Sequence, residues 1–311
     1  MTLPCKIVYM GSPAFAVPAL QELIDSDHQV ISVFSQPPRP SGSRGLQTQK
    51  TPVHQLADGA GIPVRTPEKL TAEEVAFIEE LKPDVIAVAA YGQYLPAGVL
   101  KAAPCLNIHP SALPRWRGAA PLNWTIMAGD ATTDVCIIAM GKAYDCGNVY
   151  ARKTISLATD ETAGSLHDKT ASLGAEMLLD VIDNWDFYKD KAQPQAESGI
   201  TYASKIEKLH RQTDFSRPAQ DVANHINGLS PFPAATTTFE GTPYKVLFAE
   251  VASGDAPCGE IITADPKTGL VVACGDGAVR LKKLQKQGKP PMDDLTFLCG
   301  NALVAGQKFG A

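Results

Sequence analysis

Apolar residues along the first 190 positions recur in two alternating patterns, which predict repeated strands and helices. Lys6–Met10 and Gln29–Phe34 are short apolar runs, and Ala14–Ile24 between them has apolar residues at helical spacing. A strand, a helix and a strand in about thirty residues form a βαβ unit. The patterns continue through Pro52–Ala60, Ala72–Leu81, Asp84–Ala90, Cys105–His109, Thr133–Met140, Val149–Leu157 and Thr162–Trp185. We therefore predict an α/β domain with a doubly wound, parallel sheet.

The pattern changes after Lys189–Gly199, which is polar and rich in turn-forming residues. Arg217–Gly228 is predicted to be a helix. Short alternating runs then follow, with turns about every ten residues, which predicts a small, OB-like β-barrel: Thr236–Phe239, Tyr244–Ala249, Gly259–Thr263, Leu270–Ala273 and Val279–Leu284. The predicted organisation is an α/β domain over residues 1–188, a linker over 189–204 and a C-terminal β-barrel over 205–311.

Composition and charge are those of an ordinary folded protein, with 44% hydrophobic and 20% charged residues among 311. The net charge is −5, but residues 205–311 hold twelve basic against eleven acidic residues, so the acidity lies in the first 204. The overall charge is therefore no argument against nucleic-acid binding by one part of the chain. Seven cysteines without a CxxC pair predict reduced thiols in a cytoplasmic protein. No apolar run approaches the roughly 20 residues that would span a membrane.

The first strand-to-helix turn bears on the choice of ligand, because open α/β sheets bind ligands where their strands end. Dinucleotide-binding enzymes carry GxGxxG at this turn, where the glycines let the backbone approach a pyrophosphate. This chain has Met-Gly-Ser-Pro-Ala-Phe at Met10–Phe15, with a single glycine. A nicotinamide-dependent oxidoreductase is therefore disfavoured.

The densest polar cluster begins in the predicted strand Cys105–His109. Asn107 and His109 are two residues apart, so their side chains share one face of a strand. An amide that steadies an oxyanion, beside an imidazole that moves a proton, suits acyl transfer. The alternative is a core histidine bonded to the backbone. Asp145, in the loop Gly141–Gly147, is the candidate carboxylate to orient the imidazole, although Asp-x-Gly is also common in simple turns.

A series of motifs extends this cluster along the chain. The most specific is Asn-x-His-x-Ser-x-Leu-Pro at Asn107–Pro114. The others are Gly11–Ala16, Ser35–Pro40, Tyr91-Gly92, Leu95-Pro96, Arg115–Pro121, Asp145-x-Gly147, Thr201–Lys205 and Pro231–Pro233. Together they resemble the folate-dependent formyltransferases, and within them the methionyl-tRNA formyltransferase family. The resemblance implies transfer of a formyl group from 10-formyltetrahydrofolate to the amino group of methionyl initiator tRNA.

The resemblance also implies roles for individual residues. Asn107 would polarise the formyl oxygen, His109 would assist attack by the amine, and Asp145 would pair with His109. The folate would lie against Gln93, Tyr94, Leu95, Ser111, Ala112, Leu113 and Pro114. No metal is implied, because the ring nitrogen of the donor and hydrogen bonds activate its formyl group.

The loop around the presumed catalytic acid departs from the family pattern. Where the family has a Gly-Leu-Asp-Thr-Gly type of loop, this chain places Tyr144 and Cys146 on either side of Asp145. Both side chains are bulkier than the family's, which would alter the loop and retune folate binding. Cys146 is alternatively a redox-sensitive thiol.

Two basic segments are candidates for contact with tRNA. Ser35–Ala57 holds Arg39, Arg44 and Lys50 without an acidic residue, and it is long for a loop between a strand and a helix. The alternative is a solvated surface loop. In the family the corresponding insertion contacts the tRNA acceptor stem, and we assign Arg44 to that contact.

The second basic segment lies in the predicted strand Val279–Leu284. Arg280 and Lys282 would share one face of it, and the edge of a barrel can follow an RNA backbone. The alternative is an ordinary solvated strand. For the whole chain, the competing interpretations are a sugar-nucleotide amine formyltransferase with the same folate donor, and a folate- or RNA-binding module without catalysis. We expect a monomer.

Overall fold

The computed structural model describes residues 4–41, 47–141 and 143–310, and the chain forms two compact units. Unit 1 is drawn from Met1–Arg117, Asp134–Ile155 and His167–Thr201. Unit 2 is drawn from Gly118–Thr133, Ser156–Leu166 and Tyr202–Ala311. The polar segment Lys189–Gly199 therefore belongs to unit 1, and two short inserted segments of the first half belong to unit 2.

Unit 1 is built on a sheet with the strand order β10-β9-β7-β6-β1-β2-β5. The strands of the first half are β1 Lys6–Gly11, β2 Gln29–Phe34, β3 Arg39–Ser41, β4 Gln47–Gln49, β5 Val64–Arg65, β6 Val85–Ala89, β7 Cys105–His109, β8 Arg117–Gly118, β9 Thr132–Ala139 and β10 Val149–Ser156. Adjacent strands from β7 to β5 are parallel, whereas β9 is antiparallel to β7. The predicted α/β class is confirmed, and the sheet, predicted to be parallel, is mostly so, with β9 as an antiparallel strand.

Helices separate these strands as the apolar spacing predicts. They are α1 Val17–Asp25, α2 Pro52–Gly59, α3 Ala72–Leu81, α4 Ala97–Ala102, α5 Pro121–Met127, α6 Ala163–Asp183 and α7 Trp185–Tyr188. The first predicted helix begins as a 3₁₀ turn over Ala14–Ala16, and α1 follows it with Pro18 in its first turn, a position where proline's missing N–H costs nothing. The α4 and α5 helices were not predicted, because they are too short to show a clear period.

The register of the sheet brings the ends of three strands together. Gly11 pairs with Ala89, and Val88 pairs with Asn107, so β1, β6 and β7 end at one edge. Helix α6 approaches β7 closely at Gly174, where a Cβ atom would lie 2.5 Å from Cγ2 of Ile108. A glycine is required at this point because the helix packs directly on the strand that carries Asn107 and His109.

Unit 2 contains an antiparallel sheet with the order β12-β13-β16-β15-β14, and β17 pairs with β16. Its strands and helices are β11 Tyr202–Ala203, α8 Ala219–Gly228, β12 Ala235–Phe239, β13 Thr242–Ala252, β14 Ile261–Asp265, β15 Gly269–Ala273, β16 Ala278–Lys286, β17 Met292–Asp293 and α9 Asp294–Gly300. Buried side chains of α8, β13, β16 and α9, such as Ile226, Val246, Leu281 and Phe297, form its core. The five predicted strands are all present.

Among residues 4–41, 47–141 and 143–310, no helix is both long enough and apolar enough to cross a membrane.

Candidate active site

His109 is the last residue of β7 and is almost fully buried in unit 1. Its Nε2 atom lies 3.1 Å from the carbonyl oxygen of Trp116. A carbonyl oxygen only accepts, so Nε2 carries the hydrogen and donates it. Trp116 has a φ of 62°, an uncommon value for a residue with a side chain, and this backbone conformation aims its carbonyl at the ring.

Asp145 lies on the other side of the same imidazole. Its Oδ1 atom is 3.6 Å from Nδ1 of His109, and the two side chains are only 15% and 5% exposed. Because Nε2 is committed to Trp116, Nδ1 is the ring atom that is able to take up a proton. The carboxylate is placed to balance the positive charge that then forms.

The loop that carries Asp145 runs back along β7. Met140 N donates to the carbonyl oxygen of Cys105, at the start of that strand, whereas Asp145 reaches His109 at its end. Asp145 has a φ of 50°. At Gly147 a Cβ atom would lie 1.7 Å from the carbonyl oxygen of Ala139, so only glycine fits. The glycine of the Asp-x-Gly pattern is therefore needed because the loop backbone approaches the backbone of β9 closely at this point.

Asn107 precedes His109 by two residues on β7, and 8% of its surface is exposed. Within the part of the chain that the structure describes, its side-chain amide has no hydrogen-bond partner. An unpaired amide in a nearly buried position is suited to donate to an oxygen of a bound ligand.

Asn107 and His109 share one face of β7, and Asp145 faces the His109 ring, all within unit 1. An amide donor can stabilise negative charge on an oxygen, and an imidazole with one free nitrogen can move a proton. A buried carboxylate beside the imidazole makes the proton transfer less costly. The arrangement suits attack of an amine on an activated carbonyl group.

Residues 5–182 match the formyl transferase family, and residues 205–302 match the formyl transferase C-terminal domain. The methionyl-tRNA formyltransferase of Rhizobium leguminosarum bv. trifolii is 45% identical over 310 residues, which cover 97% of this chain and 98% of that protein. The chain belongs to the methionyl-tRNA formyltransferase family. The family resemblance noted in the motifs is thereby confirmed.

Two solved structures with bound folates share the fold. HypX from Aquifex aeolicus in complex with tetrahydrofolic acid has a TM-score of 0.63 and 19% identity, over 95% of this chain and 47% of HypX. This chain thus spans about half the length of HypX. An N-formyltransferase from Helicobacter canadensis, in complex with folinic acid and dTDP-3-aminofucose, has a TM-score of 0.66 and 17% identity, over 91% of this chain and all of that one.

The segment Ser111–Pro114 follows His109 directly and was predicted to border the folate. Ser111 is fully buried, and its hydroxyl donates to the carbonyl oxygen of Arg115 at 2.8 Å, which closes the turn. Leu113 is buried as well, and its carbonyl oxygen accepts from Nη2 of Arg152. The Ser111 side chain therefore closes the turn and the Leu113 side chain packs in the core, while Ala112 and Pro114 are half-buried at the surface of the turn.

The second predicted folate segment, Gln93–Leu95, lies between β6 and α4. Gln93 donates its side-chain amide to the carbonyl oxygen of Pro67 at 2.8 Å. Leu95 is buried, whereas the Tyr94 side chain is exposed. As in Ser111–Pro114, the Leu95 side chain packs in the core, so any contact it makes with a ligand runs through its backbone.

The basic residues of the Ser35–Ala57 segment have different surroundings. Arg39 and Lys50 both line an open groove of about 380 Å³. Nη2 of Arg39 is 3.4 Å from Oε1 of Gln36, and Lys50 pairs with Asp58. Arg44, the residue assigned to the acceptor stem, lies outside the described residues.

Arg280 and Lys282 lie on β16 of unit 2 and both form ion pairs. Nε of Arg280 donates to Oδ2 of Asp294 at 2.7 Å, and the Asp294 carboxylate is 2% exposed. This bond raises the pKa of Arg280 above its ordinary value. Lys282 pairs with Glu250 at 3.1 Å and is more exposed. Arg280 thus neutralises a buried acid, and Lys282 is the more accessible of the two.

Two features of the site had no signal in the sequence. The carbonyl oxygen of Trp116 belongs to the backbone, so its residue type does not reveal it. The second feature is the bond that Trp116 N donates to Oγ1 of Thr201 at 2.9 Å, because Thr201 lies 85 residues away in the chain. The neighbouring thiol of Cys136 is not a nucleophile, because burial raises its pKa to about 12.

Proposed function

We propose that this chain transfers the formyl group of 10-formyltetrahydrofolate to the amino group of methionyl initiator tRNA. The observation that carries the proposal is the imidazole of His109, which lies between the Trp116 carbonyl and the Asp145 carboxylate and two residues after Asn107 on the same strand. This imidazole is placed to accept the proton that an attacking amine must lose. Membership of the methionyl-tRNA formyltransferase family supports the same reaction.

The three side chains divide the reaction between them. The folate, when bound, supplies the activated formyl group. Asn107 would donate to the formyl oxygen as negative charge develops there. His109 Nδ1 would accept the proton that the amine loses when its nitrogen bonds to the formyl carbon, and would return it to the folate nitrogen that departs. Asp145 would stabilise the protonated imidazole between these two transfers.

We assign the folate contacts to the two segments that flank this centre, Gln93–Leu95 and Ser111–Pro114. The burial of Leu95, Ser111 and Leu113 favours contacts through their backbone atoms. The exposed ring of Tyr94 is free to pack against a flat ligand. Truncation of the Ser111 side chain should therefore act on the turn, whose hydrogen bond to Arg115 it removes, and not directly on a ligand contact.

We assign contact with tRNA to both ends of the chain. Arg39 and Lys50 line one groove, and Arg44 lies in the same loop. In the C-terminal domain, which we propose to be OB-like, Lys282 is the better candidate because Arg280 is bound to a buried carboxylate. The proposal assigns catalysis to a domain that begins with residues 1–188 and tRNA binding to residues 205–311; the predicted linker 189–204 connects the two along the chain, and its first part packs in unit 1. It also takes the protein to be a cytoplasmic monomer.

The direct test is a transfer assay with a labelled formyl donor. The protein is incubated with formyl-labelled 10-formyltetrahydrofolate and methionyl initiator tRNA, and the label on methionine is counted. We expect labelled methionine from the wild type and a rate lower by roughly 100-fold or more from His109→Ala. Absence of label on methionine, with label on a sugar-nucleotide amine, would contradict the proposal and favour the sugar enzyme.

A further inference from the structure

Gln195, in the polar segment that follows α7, uses every hydrogen-bonding position of its side chain. Its Nε2 donates to the carbonyl oxygens of Asp145 and Gly147, at 2.7 and 2.9 Å. Its Oε1 accepts from Nε and Nη2 of Arg117, at 2.9 and 2.7 Å. All four residues belong to unit 1. The side chain therefore joins the loop of the candidate catalytic acid to a residue next to Trp116.

The chemistry of these partners determines how the Gln195 amide is turned. Carbonyl oxygens only accept, so the NH₂ end must face Asp145 and Gly147. A guanidinium only donates, so the oxygen must face Arg117. The two N–H groups and the two lone pairs are all used. Among side chains of this length, only glutamine carries an NH₂ group with two donors next to an oxygen that accepts.

The Asp145 loop needs support of this kind. Asp145 adopts a φ of 50°, which costs a residue with a side chain roughly 1–2 kcal/mol. Tyr144, the preceding residue, is 77% exposed and packs little against the protein. The Gln195 amide bonds to the loop on both sides of Cys146, at the carbonyl oxygens of Asp145 and Gly147.

The segment from Gln195 to Thr201 supports the other side of the imidazole too. Oγ1 of Thr201 accepts from Trp116 N, and the carbonyl oxygen of Thr201 accepts from Arg117 N at 3.0 Å. Trp116 in turn presents its carbonyl oxygen to Nε2 of His109. One segment of seven residues therefore holds both groups that contact the His109 ring.

We propose that Gln195 is a positioning residue for formyl transfer, which orients Asp145 toward His109 through the loop backbone. The proposal rests on the proposed function, since it requires Asp145 to assist His109. Gln195 touches no reacting atom in this scheme. Arg117 orients Gln195 by occupying both lone pairs of its oxygen.

The test uses two variants and a matched control. Gln195→Met keeps the length and removes all four hydrogen bonds, whereas Gln195→Glu keeps the acceptor for Arg117 and removes the donors to the loop. Gln193→Met is the control, because among the described residues the Gln193 side chain bonds only to the nearby carbonyl oxygen of Lys191. We expect kcat to fall roughly 10- to 100-fold in both Gln195 variants, because small displacements of catalytic groups slow reactions by such factors. The KM for the folate and the KM for the tRNA should each change less than about twofold. The control should match the wild type.

A double-mutant cycle separates positioning from general destabilisation. If Gln195 acts through Asp145, then Gln195→Met should lower kcat less than about twofold when added to Asp145→Asn. Independent losses that multiply, or full activity in Gln195→Glu, would overturn the proposal. So would a rise in KM at unchanged kcat.

A structural measurement makes this proposal separable from the proposed function. Crystal structures of the wild type and of Gln195→Met should differ in the loop around Asp145, with the carboxylate moved away from Nδ1 of His109. An unmoved loop would overturn the positioning role even if tRNA is the substrate. A wild type that does not formylate methionyl-tRNA would instead refute the proposed function, while the loop displacement would still decide the role of Gln195.

Discussion

Replacing Asp145 by asparagine would remove a negative charge from beside His109 and leave the shape of the side chain almost unchanged. Asparagine also tolerates the left-handed backbone conformation that Asp145 adopts. The substitution therefore isolates the electrostatic contribution of the carboxylate to proton transfer. We expect a lower kcat and little change in either KM.

The size of the effect follows from the geometry of the pair. Unit charges 3.6 Å apart attract by about 4–5 kcal/mol at an effective dielectric constant of about 20. Both side chains are largely buried, so solvent screens them little. If between about half and all of the charge has formed on His109 in the transition state, kcat should fall about 50-fold to about 2,000-fold.

The assay is steady-state transfer of labelled formyl groups to methionyl initiator tRNA by the wild type and Asp145→Asn. Asp183→Asn is the control, because it changes another histidine–aspartate pair of unit 1, in which Nε2 of His28 lies 3.1 Å from Oδ1 of Asp183. The control should retain kcat within about twofold, since that pair lies outside the site. An Asp145→Asn variant with kcat within about threefold of the wild type would refute the electrostatic reasoning.

Three further predictions concern the amide, the C-terminal ion pair and the thiols. Asn107→Ala should lower the initial transfer rate about 100-fold with a small change in KM, because a donor to the developing charge is lost; a normal rate would exclude that role. In urea unfolding, Arg280→Met should lower the free energy of unfolding by about 3 kcal/mol, because it leaves the Asp294 carboxylate buried without a cation, whereas Lys282→Met should cost at most about 1 kcal/mol. Equal losses would contradict this difference. When the native protein is treated with iodoacetamide and labelling is followed by mass spectrometry, the exposed Cys299 should react first. Burial raises the pKa of Cys105, Cys136 and Cys274 to about 12. Labelling of any of these three before Cys299 would contradict that effect of burial.

The strands that build the site were predictable because their signal is local. Cys105–His109 was predicted with the bounds that the structure has, since a run buried on both faces between turn residues has few other interpretations. The two-residue spacing of Asn107 and His109 then placed both on one face. Helix α6 was predicted to begin one residue too early and to end two residues too late, because its apolar period continues past Asp183 to Trp185.

Contacts distant in sequence were harder to predict. Asp145 was a candidate from its motif alone, and the alternative of a plain turn was equally compatible with Asp-x-Gly. Its place beside His109 depends on a loop that runs back along β7, which no local pattern encodes. Arg280 shows the reverse case: its charge suggested RNA binding, but its guanidinium is bound to Asp294, fourteen residues later.

The amino-acid sequence by itself determined the α/β class, the longer strands in their order, the strand that carries Asn107 and His109, and the motifs of the family. Each of these depends on periodicity or on residues close together in the chain. Only the tertiary structure decided which carboxylate faces the imidazole, which ring nitrogen is committed to Trp116, and that Gln195 joins the two sides of the site. Two of these contacts, of His109 with Trp116 and of Gln195 with Asp145, are made to backbone carbonyl groups 7 and 50 residues away in the chain. Every residue has such a carbonyl, so residue type cannot reveal which one is used.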